Sequence, residues 1–355
     1  MSSLNSARRR WHPRAPAWGA AIVAGLGCAL PLLLGLVSGH PGFLWAALGA
    51  FQAARANPLH RFGMPRMLLL ISLGACSSGL GLWVAADASA SLLLFAACGL
   101  LLAWLQRFGV EAGKLGLGIA ICLCLGQSYQ ATSELPTPAA VAALFCVGGL
   151  WVALLAFGLR GAHGLRMWPY MPRLRNLLKV LRRHAARLPQ REWRLHALGC
   201  TLAFGLAGAA VVLLELEHGY WLTLTVLGSL HLKARASRSK AVQACSSSLA
   251  VAALLALLGH SLQNPAIMVA LVLPLIMLSR AIQANSYRLF MLQSISLCLL
   301  LAESLAADWT QLEPRLLGGL YGFALALAIG LLVRLAAEYR LDPAHPLKAP
   351  RKRKD

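Results

Sequence analysis

Twelve long apolar stretches constrain this chain more than any other feature. They run 17–38, 42–54, 67–86, 90–106, 112–129 and 137–159, and, after a basic break, 195–216, 220–232, 241–262, 265–279, 287–307 and 316–335. Most approach the roughly 20 residues that a helix needs to cross ~30 Å of hydrocarbon. Hydrocarbon offers the backbone no hydrogen-bond partner, so each such stretch must satisfy its own amides and carbonyls as a helix. The expected fold class is an all-α membrane protein of about 12 transmembrane helices. A net charge of +21 on a soluble chain would suggest nucleic acid, but 58% of these residues are hydrophobic and only 13% are charged. The basic residues are also spread over many short loops rather than gathered on one face, which argues against a nucleic-acid partner.

The charges orient the bundle. If loops alternate between two sides and the first lies inside, thirty-two of the 33 Lys and Arg residues fall on the inner side, and Arg315 alone falls outside. Asp87, Glu134, Glu215, Glu217, Glu303, Asp308 and Glu313 lie on or near the outer side. Lys and Arg bias sets membrane topology, and a wrong number of spans would scramble the segregation. The expectation is therefore an even number of spans, both termini cytoplasmic, in a bacterial inner membrane. Trp11, Trp18, Trp83, Trp104, Trp193, Trp221 and Trp309 lie near the ends of spans, where indole rings favour the headgroup layer.

Six spans, a linker and six more make a repeat. His40-Pro41-Gly42-Phe43 precedes span two as His218-Gly219-Tyr220-Trp221 precedes span eight. Ala-Cys-Ser-Ser recurs at 75–78 and 244–247, and Leu-Cys-Leu at 123–125 and 297–299. Arg107 and Lys114 match Arg280 and Arg288 on the inner loops, and Pro138 and Pro314 stand at the start of each half's last span. Because six is even, the halves face the same way and form two parallel six-helix repeats. The expected divisions are 1–16, a basic cytoplasmic N-terminus; 17–160, the first repeat; 161–194, a basic cytoplasmic linker; 195–335, the second repeat; and 336–355, a basic cytoplasmic tail. Within the linker, Leu174, Leu177, Leu178, Leu181, Ala185 and Leu188 share one helical face, and six Arg and Lys residues surround it. That pattern predicts a basic amphipathic helix lying on anionic lipid or on the cytoplasmic ends of the bundle. The first apolar run is too long for a cleavable signal peptide, so span one is expected to be retained.

Nothing in the sequence spells an enzyme. The nine cysteines lie within apolar spans without a CxxC pair, and their residue type suits helix packing. The ten histidines form no HExxH. The stretch 109–114 resembles a phosphate loop but is one residue short, with Leu115 where Ser or Thr would meet magnesium. No cofactor and no metal is expected.

Transport chemistry has better support. Spans two and eight hold about 13 residues each, which reach only about 20 Å as helices. Short segments at corresponding places in two repeats point to a substrate site. Span eight carries Glu217 and His218, which can exchange protons; Gly219, which permits an unwound start; Tyr220 and Trp221, which offer aromatic faces; and Thr223 and Thr225, which offer hydroxyls. The competing reading is an aromatic belt at headgroup level. Glu303, late in span eleven, is a second proton-carrying candidate, since a carboxyl at that depth is costly. Arg238, Lys240, Arg280 and Arg288 could draw an anion from the cytoplasm, although inner-side topology alone also accounts for them. Gly35/Gly39 and Gly318/Gly322 have the spacing that brings helices together within a bundle.

The run His218-Gly219-Tyr220-Trp221-Leu222-Thr223-Leu224-Thr225 resembles the GYW stretch of the fusaric acid resistance proteins, also called aromatic acid exporters. Arg315-Leu316-Leu317-Gly318-Gly319-Leu320-Tyr321-Gly322 is similar to their last-span motif. The resemblance covers roughly 194–334 and reaches the first half through the repeat. Two features depart from the family: His231-Leu232-Lys233 and Lys240–Cys245 stand where its members carry Gln-Pro and RxxGTxxG runs, and the insert here is shorter. The resemblance implies efflux of aromatic carboxylates or related organic acids, driven by protons. The partners it implies are the lipid bilayer and a small organic anion, with a homo-oligomer left open. It also admits an anion channel on the same fold. A non-transporting scaffold for an envelope complex is a further alternative.

Overall fold

The computed structural model describes residues 18–40, 42–56, 63–127, 137–166, 190–216, 218–229, 265–282 and 313–339. Among them are ten helices and no strand: α1 Trp18–Ser38, α2 Gly42–Arg55, α3 Gly63–Val84, α4 Ala88–Arg107, α5 Val110–Gln127, α6 Pro138–Arg166, α7 Gln190–Leu213, α8 Tyr220–Ser229, α9 Pro265–Ile282 and α10 Glu313–Tyr339. They fall on ten of the expected spans. The stretches 241–262 and 287–307, and the linker helix 172–188, lie outside the described residues. Five helical segments are long and apolar enough to cross a membrane: Trp18–Ser38, Arg66–Val84, Ala88–Arg107, Pro138–Leu159 and Trp193–Leu213. Helix α6 overruns the apolar stretch and continues to Arg166. No Pro follows Leu159 until Pro169, and a helix needs no hydrophobicity to continue once it leaves hydrocarbon.

Local chemistry sets the turns. Between α1 and α2, Gly39 takes φ +68°, and its N–H donates to the Gly35 carbonyl at 2.9 Å. The His40 ring then accepts from the Gly42 N–H at 2.9 Å through Nδ1 and starts α2. Asp87 caps α4 with one carboxylate oxygen that accepts from the Ser89 and Ala90 amides and the Ser89 hydroxyl. Those bonds favour the charged form and hold the Asp87 pKa below its ordinary value, the Ser89 hydroxyl foremost. After α7, the Glu215 N–H reaches the Val212 carbonyl and the Leu216 N–H the Val211 carbonyl. This is a Schellman cap, but its left-handed position, at φ 48°, holds a glutamate where glycine is usual.

The short helices occupy the centre. Almost all of α2 is buried, with Trp45, Leu48 and Phe51 inside. Helix α8 is buried from Tyr220 to Leu227. Large apolar side chains such as Leu33, Leu69, Leu93, Leu154 and Leu206 are exposed on the surrounding helices, as lipid contact requires. Helix α2 packs on α1 and α6, and α8 packs on α7 and α10. Helix α1 meets α6, and α7 meets α10. Among the described residues the two halves meet where α4 packs on α7, α9 on α1, and α5 on α8.

Small residues set these distances. A Cβ on Gly148 of α6 would stand 1.8 Å from the Ala46 carbonyl oxygen of α2, and one on Gly322 of α10 would stand 2.5 Å from the Leu222 carbonyl oxygen of α8. Gly318 likewise lies on Trp221, so this glycine pair does pack as its spacing predicts. Gly35 packs on Phe43, whereas Gly39 has nothing within 4 Å and serves the turn instead. On the α4–α7 seam, Gly99 abuts the Cys200 carbonyl, and the Phe95 and Phe204 rings lie 4.9 Å apart.

Candidate functional site

Helix α8 opens from a turn packed closely on the Val211 side chain at Gly219. A Cβ on Gly219 would lie 2.2 Å from Val211 Cγ1 of α7. The turn brings the Tyr220 hydroxyl to 3.4 Å from His218 Nδ1, with the two rings edge to face at 6.0 Å. Tyr220 and Trp221 lie with ring centroids 6.5 Å apart. Trp221 is 1% exposed, so it is enclosed by protein rather than placed in a headgroup belt. Trp18, Trp83 and Trp104, by contrast, are exposed near helix ends.

Both threonines are buried. Thr225 Oγ1 donates to the Trp221 carbonyl at 2.7 Å. Thr223 Oγ1 lies 3.4 Å from the Gly219 and Tyr220 carbonyls and also meets the Cys124 thiol of α5. In this state the hydroxyls bond within the bundle, and α5, α7 and α10 close around α8. A ligand reaching Thr223 or Thr225 requires these helices to part.

Arg280 belongs to a different group, at the last turn of α9. It is 1% exposed. Its Nη2 donates to the Ala54 carbonyl and its Nη1 to the Arg55 carbonyl at 3.3 Å, so its charge sits on the C-terminus of α2. A cation there neutralises the negative end of the helix dipole. Arg238, Lys240, Arg288, Glu217 and Glu303 lie outside the described residues.

Two polar groups escaped the sequence reading. Gln127 at the end of α5 donates through Nε2 to the Gly208 carbonyl of α7 at 2.7 Å and also to the Ser91 hydroxyl of α4, while Ser91 Oγ donates to the same carbonyl at 2.9 Å. Gln52 is fully buried in α2, and its Oε1 accepts from Arg55 Nη1 at 2.9 Å. The signal was available: an amide inside an apolar span is costly and needs a partner. Where the last turn of α4 meets the first turns of α7, His196 Nε2 and Gln106 Oε1 are 2.6 Å apart, and Trp193 Nε1 donates to the Ala103 carbonyl at 3.2 Å. The Arg107 guanidinium lies 4.9 Å from the centre of the Trp193 ring. Among the described residues no group of His, Cys, Asp and Glu is placed to hold a metal ion.

Residues 206–329 match the family model described as fusaric acid resistance protein-like. Comparison with the curated proteins and with the solved structures found no match to the chain. The matched stretch contains the end of α7, the His218–Gly219 turn, all of α8 and α9, and most of α10. The similarity to the fusaric acid resistance protein-like family thus covers residues 206–329 of a chain that reads as a multi-pass membrane protein.

Proposed function

We propose that the protein exports small organic acids, aromatic carboxylates foremost, from the cytoplasm across a bacterial inner membrane, with protons as the coupling ion. The family match carries the reading, because that family points to membrane efflux. The packing supports a parallel repeat. Shifting each span by six turns α1–α2 into α7–α8, α2–α6 into α8–α10, α1–α6 into α7–α10, and the α4–α7 seam into the α9–α1 seam. The two short helices become equivalent, each buried and each held by a close glycine contact from its half's last helix.

In mechanism, basic inner loops concentrate the anion. The Tyr220 and Trp221 rings stack on its body, and Thr223 or Thr225 takes its polar group once α8 is uncovered. His218, Glu217 or Glu303 carries the proton. Sliding along the α4–α7 and α1–α9 seams alternates access between the two sides. The test is retention of a panel of aromatic acids in cells that lack or overproduce the protein. Lower retention on overproduction and higher retention on deletion is expected; equal retention throughout removes the reading.

A further inference from the structure

The inner end of the first half holds a cleft that neither the family match nor the α8 site includes. It is lined by Arg55 at the end of α2, Arg66 and Leu70 near the start of α3, and Lys114, Leu115 and Gly118 near the start of α5. Three separate helices thus deliver one cation each to one small space. Two of them, α3 and α5, also point the positive ends of their dipoles this way. The third, α2, ends here and would present its negative end, but Arg280 donates to its last carbonyls. Gln52 accepts from Arg55 Nη1 and holds that side chain against α2. The remaining lining includes Leu70, Leu115 and Gly118, and Leu70 packs against Gly118, where a Cβ would lie 2.6 Å from Leu70 Cδ1.

We propose that this cleft binds an oxyanion group, a carboxylate or a phosphate ester, carried on an apolar body. Arg66 and Lys114 hold the oxygens by charge-assisted hydrogen bonds, Arg55 adds the third charge, and the apolar body stays outside the cleft. Arg280 is a positioning residue that fixes the end of α2 carrying Arg55. Two sources share this chemistry, an organic acid arriving from the cytoplasm and the headgroup phosphate of an inner-leaflet lipid. Assigning the cleft to capture of exported acids rests on the transport reading; the binding itself does not.

The experiment uses the full chain in nanodiscs. In one arm, salicylate is titrated into discs of phosphatidylcholine alone. In the other, retention of phosphatidylglycerol is followed by native mass spectrometry. Losing a charge-assisted contact weakens binding about tenfold or more. R66Q/K114Q is expected to do this in at least one arm, R66K/K114R to restore it, and R194Q, which removes an exposed inner-side charge on α7, to change neither. The single variants R66Q and K114Q replace the double if it does not fold. Loss in the salicylate arm alone assigns the cleft to free acids, and loss in the lipid arm alone assigns it to headgroups. Unchanged binding in both arms, or an equal loss from R194Q, overturns the proposal. Binding lost in R66Q/K114Q in a protein that exports no aromatic acid keeps the cleft and removes the transport reading, so the two fail separately.

Discussion

Replacing Gly148 with alanine tests the packing of the short central helix. The new methyl would lie 1.8 Å from the Ala46 carbonyl oxygen and 2.5 Å from its carbon. Both are backbone atoms, so no rotamer change relieves the contact. A tolerable separation is about 3.3 Å, so α2 and α6 must part by about 1.5 Å, enough to forfeit more than half of the dispersion along that row. Gly49 faces the same seam, where its own Cβ would stand 2.0 Å from the Phe145 carbonyl oxygen, so parting at one point strains a tight row. Overpacking of this kind costs about 1–3 kcal/mol. Alanine returns about 0.5–1 kcal/mol by restricting the unfolded chain. The net expectation for Gly148→Ala is a loss of about 1–2 kcal/mol. Gly158 lies ten residues along the same helix with nothing within 4 Å. Gly158→Ala should therefore gain up to about 0.5–1 kcal/mol by the same entropic effect. Thermal unfolding of the purified variants in one detergent compares them directly. Equal midpoints for Gly148→Ala and Gly158→Ala, or a lower midpoint for the second, would refute the packing argument.

Three further outcomes follow from named contacts. Glu215→Gly relieves a left-handed φ at the end of α7 and should stabilise by about 0.5–1 kcal/mol in the same melt. Arg280→Gln leaves the end of α2 without its cation and should cost about 1–3 kcal/mol, with slower export even at matched abundance. Asp87 has its folded pKa depressed, so its contribution is complete above the unfolded value of about 3.9 and is lost as pH falls through the folded value. The midpoint difference between the wild type and Asp87→Asn should therefore be constant near neutrality and shrink below about pH 4.

Much of the helix layout was legible because an apolar run ends where charge or a turn residue begins. Gly42, Asp87, Pro138 and Tyr220 mark helix starts within a residue or two, and each is visible in the sequence. Lateral pairing was not legible. Arg280 finds its carbonyl partners 225 and 226 residues away, and Ser91 finds Gly208 at a separation of 117. No local period encodes such pairs. On α8 the burial of both hydroxyls was not legible either. Thr223 and Thr225, two apart, cannot share a face of a regular helix, yet both are buried because α5, α7 and α10 surround it. The cleft cations looked like loop charges because positive-inside bias explains each alone; only the fold brings Arg55, Arg66 and Lys114 together.

The central claim is that the halves face the same way, and topology reporters test it most directly. A reporter active only in the cytosol and another active only in the periplasm can be inserted, one at a time, between Asn57 and His60 and between Arg235 and Arg238. The account predicts cytosolic signal at both places and periplasmic signal at neither. Periplasmic activity at either place would contradict the parallel arrangement and the mechanism built on it.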